Sequence, residues 1–206
     1  MRFPNAYAGV KKIFTSEILS LISAILLAIV AVVMATDETG ELPGGKNGVI
    51  AVVAIAGLVA IVLGLIALIL QLIGLSAASK DEGAFKTAFF FAIAMLVVSV
   101  AGSVIATKNE DSIVSDLPNL LNIFVFIFTV SGISNLAKKM GREDMAGFGI
   151  RILILQIILT VISFILQVFK QGSIANVLSV VSILLTAIVY IVYLIYLSKA
   201  KKMLQE

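Results

Sequence analysis

Uncharged apolar segments alternate along the chain with short polar segments. The clearest polar segment is residues 80–86, where Lys80, Asp81, Glu82 and Lys86 separate two apolar runs. A helix needs about 20 predominantly apolar residues to cross about 30 Å of hydrocarbon, and the apolar runs of this chain have that length. The pattern predicts six transmembrane helices, at residues 18–35, 49–74, 88–106, 117–135, 150–169 and 174–197.

Composition indicates that lipid surrounds this chain. Its 206 residues are 61% apolar and 13% charged, with a mean hydropathy of +1.16. Soluble domains carry about 25% charged residues, and no soluble core in so short a chain could bury this much apolar surface. We therefore expect the all-α class, a polytopic integral membrane protein in which residues 1–206 form a single transmembrane domain.

The distribution of lysine and arginine predicts the topology. The N-terminus, the second and fourth loops and the C-terminus carry twelve of the fifteen basic residues, counting Arg151 with its adjacent loop. The first, third and fifth loops carry one each, Lys46, Lys108 and Lys170. Because basic flanks stay in the cytoplasm, we expect a multi-pass protein of the cell membrane with both termini cytoplasmic.

The start of the chain is polar overall but carries an apolar stripe. Phe3, Tyr7, Val10 and Phe14 fall at i, i+4, i+7 and i+11, which is one face of a helix. The stripe fits a helix lying at the headgroup boundary, and it fits equally well a helical extension of the first span.

The cytoplasmic ends of the predicted hairpins resemble one another. Residues 74–80 (GLSAASK) align with residues 132–138 (GISNLAK) and more loosely with residues 193–199 (YLIYLSK). This self-similarity predicts three consecutive helical hairpins, at residues 12–80, 83–138 and 146–200. Chance similarity in an apolar sequence of biased composition is the competing explanation.

The repeat has one consequence for charge. A phenylalanine lies near the start of each unit, at Phe14, Phe85 and Phe148. Aligning these residues places Glu17 and Arg151 at equivalent positions near the cytoplasmic boundary. Opposite charges at one depth predict an intramembrane ion pair that closes a site from the cytoplasmic side. The alternative is that the two side chains reach the headgroups separately.

Small residues form stripes on two spans. Ala56, Ala60 and Gly64 follow a small-xxx-small spacing in the second span. A second stripe, on the third span, consists of Ala92, Met95, Ser99, Gly102 and Ala106. Such faces let helix backbones approach closely in lipid, so we interpret both as packing faces.

Polar residues recur along one face of each of the last two spans. They are Gln156, Thr160, Ser163 and Gln167 on the fifth span, and Asn176, Ser179, Ser182, Thr186 and Tyr190 on the sixth. We call these nine residues the polar seam. One interpretation is a hydrophilic lining for a small polar solute. The other is an interhelical hydrogen-bond seam, in which each bond contributes about 0.6 kcal/mol. Tyr190 and Tyr193 also fit interfacial anchors.

The residue types that are absent narrow the chemistry. Because the sequence has no Cys and no His, hydrolases that use a Ser-His or Cys-His pair are excluded, together with the usual zinc sites. Glu17, near a span end, is the one candidate for an intramembrane carboxylate. The pI near 9.2 reflects basic loops and not nucleic-acid binding. We expect no enzymatic activity, no metal, no cofactor and no nucleic-acid partner.

Size and span number resemble the substrate-binding membrane subunits of energy-coupling-factor vitamin transporters, and that resemblance implies binding of a small solute. The residues themselves favour a non-catalytic interaction or scaffold subunit within the bilayer, because nothing in them demands a substrate. Expected partners are the lipid bilayer and other membrane helices or further copies of the chain. The alternative is a binding or transport component that uses the polar seam for a small polar solute.

Overall fold

The computed structural model describes residues 2–37, 45–105, 117–168 and 173–206. Within these ranges the chain forms six α-helices and no β-strand. The helices are α1 (Pro4–Asp37), α2 (Gly45–Ala78), α3 (Gly83–Ile105), α4 (Leu117–Lys139), α5 (Glu143–Val168) and α6 (Ser173–Gln205). All six are long and apolar enough to cross a membrane, which confirms the prediction of an all-helical chain and fits a multi-pass membrane protein.

Several helices extend beyond the predicted spans. α1 begins at Pro4 and not near residue 18, and α6 continues to Gln205. Proline is favoured in the first turn of a helix because its missing amide proton is not needed there. Val10 is fully buried, and the three aromatic residues of the N-terminal stripe pack against the core. The stripe therefore belongs to a helical extension of the first span that packs into the bundle.

Helices that follow one another in the sequence pack against each other, and α1 also packs against α6. These contacts close the six helices into a ring, and α6 additionally touches α4. α1 and α2 run antiparallel, because Gly9 lies against Gly74 while Ser23, further along α1, bonds to Ala60 of α2. Ser23 Oγ donates to the Ala60 carbonyl at 2.8 Å, so this bond joins the two helices within the membrane.

α3 and α4 are also antiparallel neighbours. The Phe85 ring lies against Gly132 near one end of the pair. Further along, the Phe91 ring stacks on Phe124 and Phe128, with ring centroids 4.9 and 5.6 Å apart. This run of aromatic contacts holds the two helices together over about two turns.

The buried core lies toward the end of the bundle where the chain begins and ends. Its largest fully buried side chains come from all six helices and include Tyr196, Phe85, Ile13, Leu75, Ile133 and Ile152. The opposite halves of α1 and α2 expose their apolar side chains, with Val32 63% and Val52 68% accessible. In a membrane these faces contact lipid tails, which are as apolar as the side chains themselves.

Polar contacts tie both termini and two turns together at the core end. Arg2 Nη1 donates to the Lys139 carbonyl at 2.8 Å, and Arg142 pairs with Glu206 at 3.2 Å. Asp81, in the turn after α2, bonds to the first turn of α1. We call this end of the bundle, marked by these five residues, the terminal end.

Glu82 links the two turns of the terminal end. Its carboxylate accepts hydrogen bonds from Lys139 Nζ at 2.5 Å and from Asn135 Nδ2 at 3.2 Å, and its side chain is 11% exposed. Burial raises the pKa of this carboxyl, but the bonds from Lys139 and Asn135 and the charge of Lys139 outweigh it, so the pKa lies below its ordinary value of 4.5.

The α4–α5 turn begins at a glycine. Gly141 has φ of +71°, a left-handed conformation that glycine adopts without a Cβ clash. The Arg142 amide donates to the Ala137 carbonyl at 2.8 Å, and the Gly141 amide donates to the Lys138 carbonyl at 3.0 Å. This pair of bonds is the Schellman motif, and it satisfies carbonyls at the end of α4 that have no partner within the helix.

Candidate functional site between the first and last helices

Glu17 lies on the face of α1 that contacts α6. It follows Ala6 by eleven residues along α1, and the Ala6 amide bonds to the α2–α3 turn. At 1.5 Å per residue, Glu17 is about 16 Å from that turn. Its contact on α6, Tyr190, precedes the first C-terminal lysine, Lys199, by nine residues, which is about 13 Å. Glu17 therefore lies about three helical turns away from the terminal end of the bundle.

A tyrosine hydroxyl from α6 contacts Glu17 twice. Tyr190 Oη lies 2.9 Å from Glu17 Oε2 and 2.7 Å from the Glu17 backbone carbonyl, and it donates to both acceptors in a shared hydrogen bond. The bond closes the helical ring, because it joins the first helix to the last. The two partners are 173 positions apart in the sequence, so no local sequence pattern could have predicted this contact.

Glu17 has no cationic partner in the part of the chain that the structure describes. The ion pairs found there involve only Lys139 and Arg142 as cations, and all lie at the terminal end. Carboxylates within a membrane are costly, and they usually pair with a cation or line a functional site. The hydrogen bond from Tyr190 compensates the charge of Glu17 only in part.

Arg151 does not meet Glu17. It lies exposed on α5, and no ion pair joins the two residues in the described ranges. α1 packs against α2 and α6, whereas α5 packs against α4 and α6, so α6 separates the two helices. The alignment of repeats matched positions along the helices, but it carried no information about which helices become neighbours.

Three tyrosines of α6 face the inside of the bundle. Tyr193 is 4% exposed, and its ring packs on Phe126 of α4 with centroids 4.6 Å apart. Tyr196 is fully buried, and its hydroxyl lies 3.0 Å from Ser134 Oγ of α4. Tyr193 is therefore not an interfacial anchor, and Tyr190 binds α1. The spacing of Tyr190, Tyr193 and Tyr196 by three residues was the sequence signal that neighbouring tyrosines of α6 lie close together on the helix surface.

The polar seam is only partly within the described side chains. Ser163, Gln167, Asn176 and Ser179 have side chains outside that part. Thr160 Oγ1 donates to the Gln156 carbonyl at 2.9 Å, and Thr186 Oγ1 donates to the Ser182 carbonyl at 2.8 Å. Both hydroxyls thus bond to their own helix backbones, as serine and threonine commonly do. In its described half the seam supplies no hydrogen bond between α5 and α6.

The small-residue stripe of the second span faces α1. Ala60 is fully buried, and Gly64 lies close to Ser23 Oγ. This placement agrees with the packing interpretation of the stripe, because small residues here let α1 and α2 approach closely.

In the described ranges no group of three or more acidic, His or Cys side chains could hold a metal ion. No protein-family model, curated protein sequence or solved structure matches this chain. The geometry around Glu17 is therefore the basis for the function proposed below.

Proposed function

We propose that this chain is a non-catalytic membrane subunit that binds a small cationic solute at Glu17, between α1 and α6. The observation that supports the proposal is a carboxylate about three helical turns inside the bundle, bonded to one tyrosine hydroxyl and without a cationic partner in the described chain. The site moves the solute-binding alternative from the polar seam to the neighbouring α1–α6 contact.

The chemistry of the site favours an ammonium or guanidinium group. An ionised carboxylate offers about four acceptor positions, and Tyr190 occupies part of only one oxygen. A bound cation would supply the charge compensation that the protein does not, and a charge-assisted bond is about twice as strong as a neutral one. Tyrosine rings on the same face of α6 also attract cations that lie over them.

Thermal unfolding of the full chain in lipid nanodiscs tests the proposal. The probes are methylammonium and guanidinium, with acetamide as a neutral probe of similar size. At a concentration 100 times its dissociation constant, a bound cation adds about 2.7 kcal/mol to the free energy of unfolding. Glu17→Gln removes the charge but keeps an acceptor for Tyr190, so we expect it to fold and to lose the stabilisation.

Glu82→Gln is the matched control, because it removes a carboxylate that already has Lys139 as its partner. We expect this variant to keep the response to the cationic probes. Two results would contradict the proposal: acetamide stabilises the native chain as much as either cation does, or Glu17→Gln responds to the cations as the native chain does.

A second candidate function is an interaction subunit, which the outer half of α1 favours. Four exposed alanines, Ala24, Ala28, Ala31 and Ala35, follow one face of that helix. Small faces let another membrane helix approach closely. For this function we expect a complex larger than one chain in mild detergent, and we expect the double substitution of Ala28 and Ala31 by Leu to dissociate it. Ile29→Leu, which conserves volume, should leave the complex intact; a monomeric native chain would exclude this function.

We also propose that both termini face the cytoplasm and that the helices form three hairpins. The contacts at the terminal end support this topology, because they gather the termini with the two loops that carry most basic residues. Gly74 and Gly132, which are equivalent in the aligned segments, each lie against the preceding helix. Single cysteines in this cysteine-free chain test the topology: Lys46→Cys and Lys138→Cys should react with impermeant reagents from opposite sides.

A further inference from the structure

The parts of α1 and α6 that lie toward the terminal end form a strongly basic surface. Residues 4–16 and 198–205 contain five lysines and no acidic residue. We call these lysines the basic face: Lys11, Lys12, Lys199, Lys201 and Lys202. α1 and α6 pack against each other, so the five lysines lie around this helix pair, with Lys201 beside α1 and Lys199 beside α5. In the described ranges none of them belongs to an ion pair, because the pairs found there use only Lys139 and Arg142 as cations.

Two ammonium groups of this surface lie over aromatic rings of neighbouring helices. Lys201 Nζ lies 4.8 Å from the centroid of Phe14, which bridges α6 to α1. Lys199 Nζ lies 5.3 Å from the centroid of Phe148, which bridges α6 to α5. A ring attracts the cation through its face, and an ammonium group keeps donors free for an acceptor outside the protein.

We expect the basic face to lie at the level of the lipid headgroups. Lys199 is the first charged residue after the apolar part of α6, and Lys11 follows Ala6, which contacts the α2–α3 turn, by five residues. The latter separation is about 7.5 Å along the helix. Long lysine side chains at such positions place their ammonium groups among the headgroups.

We propose that the basic face binds the phosphate groups of anionic phospholipids, which thereby dock against α1 and α6. Charge complementarity carries the proposal: five cations without carboxylate partners lie at headgroup level beside the apolar faces that acyl chains cover. The positive-inside rule accounts for the sign of the charge at this end, but it requires no bound lipid. The inference goes beyond solute binding at Glu17 and does not depend on it.

Native mass spectrometry of the full chain, titrated with phosphatidylglycerol and separately with phosphatidylcholine, tests the proposal. One variant carries Lys199→Gln, Lys201→Gln and Lys202→Gln. The matched control carries Lys80→Gln, Lys86→Gln and Lys138→Gln, which removes the same charge from exposed lysines near the terminal end, on α2–α4. Each lysine near an anionic surface changes affinity about fivefold. We therefore expect phosphatidylglycerol to bind the first variant about 100-fold more weakly and the control nearly as well as the native chain.

Replacing the same three α6 lysines by arginine keeps the charge, so this variant should bind phosphatidylglycerol like the native chain. That result would show that the glutamine variant loses the binding site and not the fold.

Three results would overturn the proposal. The two glutamine variants could weaken binding equally, which indicates diffuse attraction only. The native chain could bind both lipids equally. Inorganic phosphate, at the same concentration as the lipid, could displace phosphatidylglycerol from the protein, which indicates a site for a soluble anion.

Discussion

Asp81 joins the α2–α3 turn to the first turn of α1, and this contact gives the sharpest prediction about stability. Asp81 Oδ2 accepts a hydrogen bond from the Ala6 amide at 2.7 Å, and Oδ1 accepts one from Asn5 Nδ2 at 2.9 Å. Because α1 begins at Pro4, the Ala6 amide has no acceptor within its own helix. A carboxylate at this position also interacts favourably with the positive end of the helix dipole. Asp81 therefore caps α1 from a distant part of the chain.

The size of the effect follows from these two bonds. A hydrogen bond to a charged group contributes about 1.5–3 kcal/mol, and loss of a helix cap costs about 0.5–2 kcal/mol. Since the contact is only partly buried, we expect Asp81→Ala to lower the free energy of unfolding by about 2–4 kcal/mol. Asp81→Asn keeps one acceptor and loses the charge, so its effect should be about half as large.

Steric-trapping or denaturant titration in a fixed micelle measures these free energies. Glu143→Ala is the matched control, because it removes an exposed carboxylate from the first turn of α5, where the helix dipole contributes only about 0.3–1 kcal/mol. We expect the control to change stability little. If Asp81→Ala and Glu143→Ala have the same effect, the capping interpretation is wrong.

Three further predictions concern packing, pH and the ring closure. A methyl group at Gly149 would lie 2.6 Å from Tyr196 Oη, so Gly149→Ala should lower the free energy of unfolding by about 1–3 kcal/mol. The methyl group of Gly147→Ala would meet nothing within 4 Å, so this control should lower it far less in the same titration. The pKa of Glu82 is lowered on folding. The stabilisation from its carboxylate is therefore present above the unfolded pKa of about 4.3 and is lost as pH falls through the folded pKa. The free energy of unfolding should consequently vary less between pH 3 and 6 in Glu82→Gln than in the native chain. Tyr190→Phe removes the α1–α6 bond, and hydrogen exchange of α6 amides should rise near residue 190 but not near residue 200.

The sequence predicted the existence of the six helices well, because each apolar run has the length that hydrocarbon requires. α1 begins about four turns before the predicted first span, because hydropathy reports contact with lipid and not the extent of a helix. Residues 4–17 are too polar to read as a span, yet their apolar face packs into the core.

The candidate site was only half visible in the sequence. Glu17 stood out as the one candidate for an intramembrane carboxylate, but its partner depends on the packing of α1 against α6. Two helices at opposite ends of the chain leave no local signal of that contact. The alignment of repeats therefore paired Glu17 with Arg151, which belongs to a helix on the other side of α6. The residue that bonds to Glu17 is Tyr190, which the sequence placed in the polar seam.

The most direct test of the central claim uses the Glu17 carboxyl carbon itself. In nanodiscs with ¹³C-labelled glutamate, the Glu17 resonance is assigned by its loss in Glu17→Gln. If this carboxylate binds a cationic solute, the Glu17 resonance shifts on titration with guanidinium while the Glu82 resonance stays in place. A Glu17 resonance that does not move, or that moves together with the exposed carboxylates, would contradict the claim.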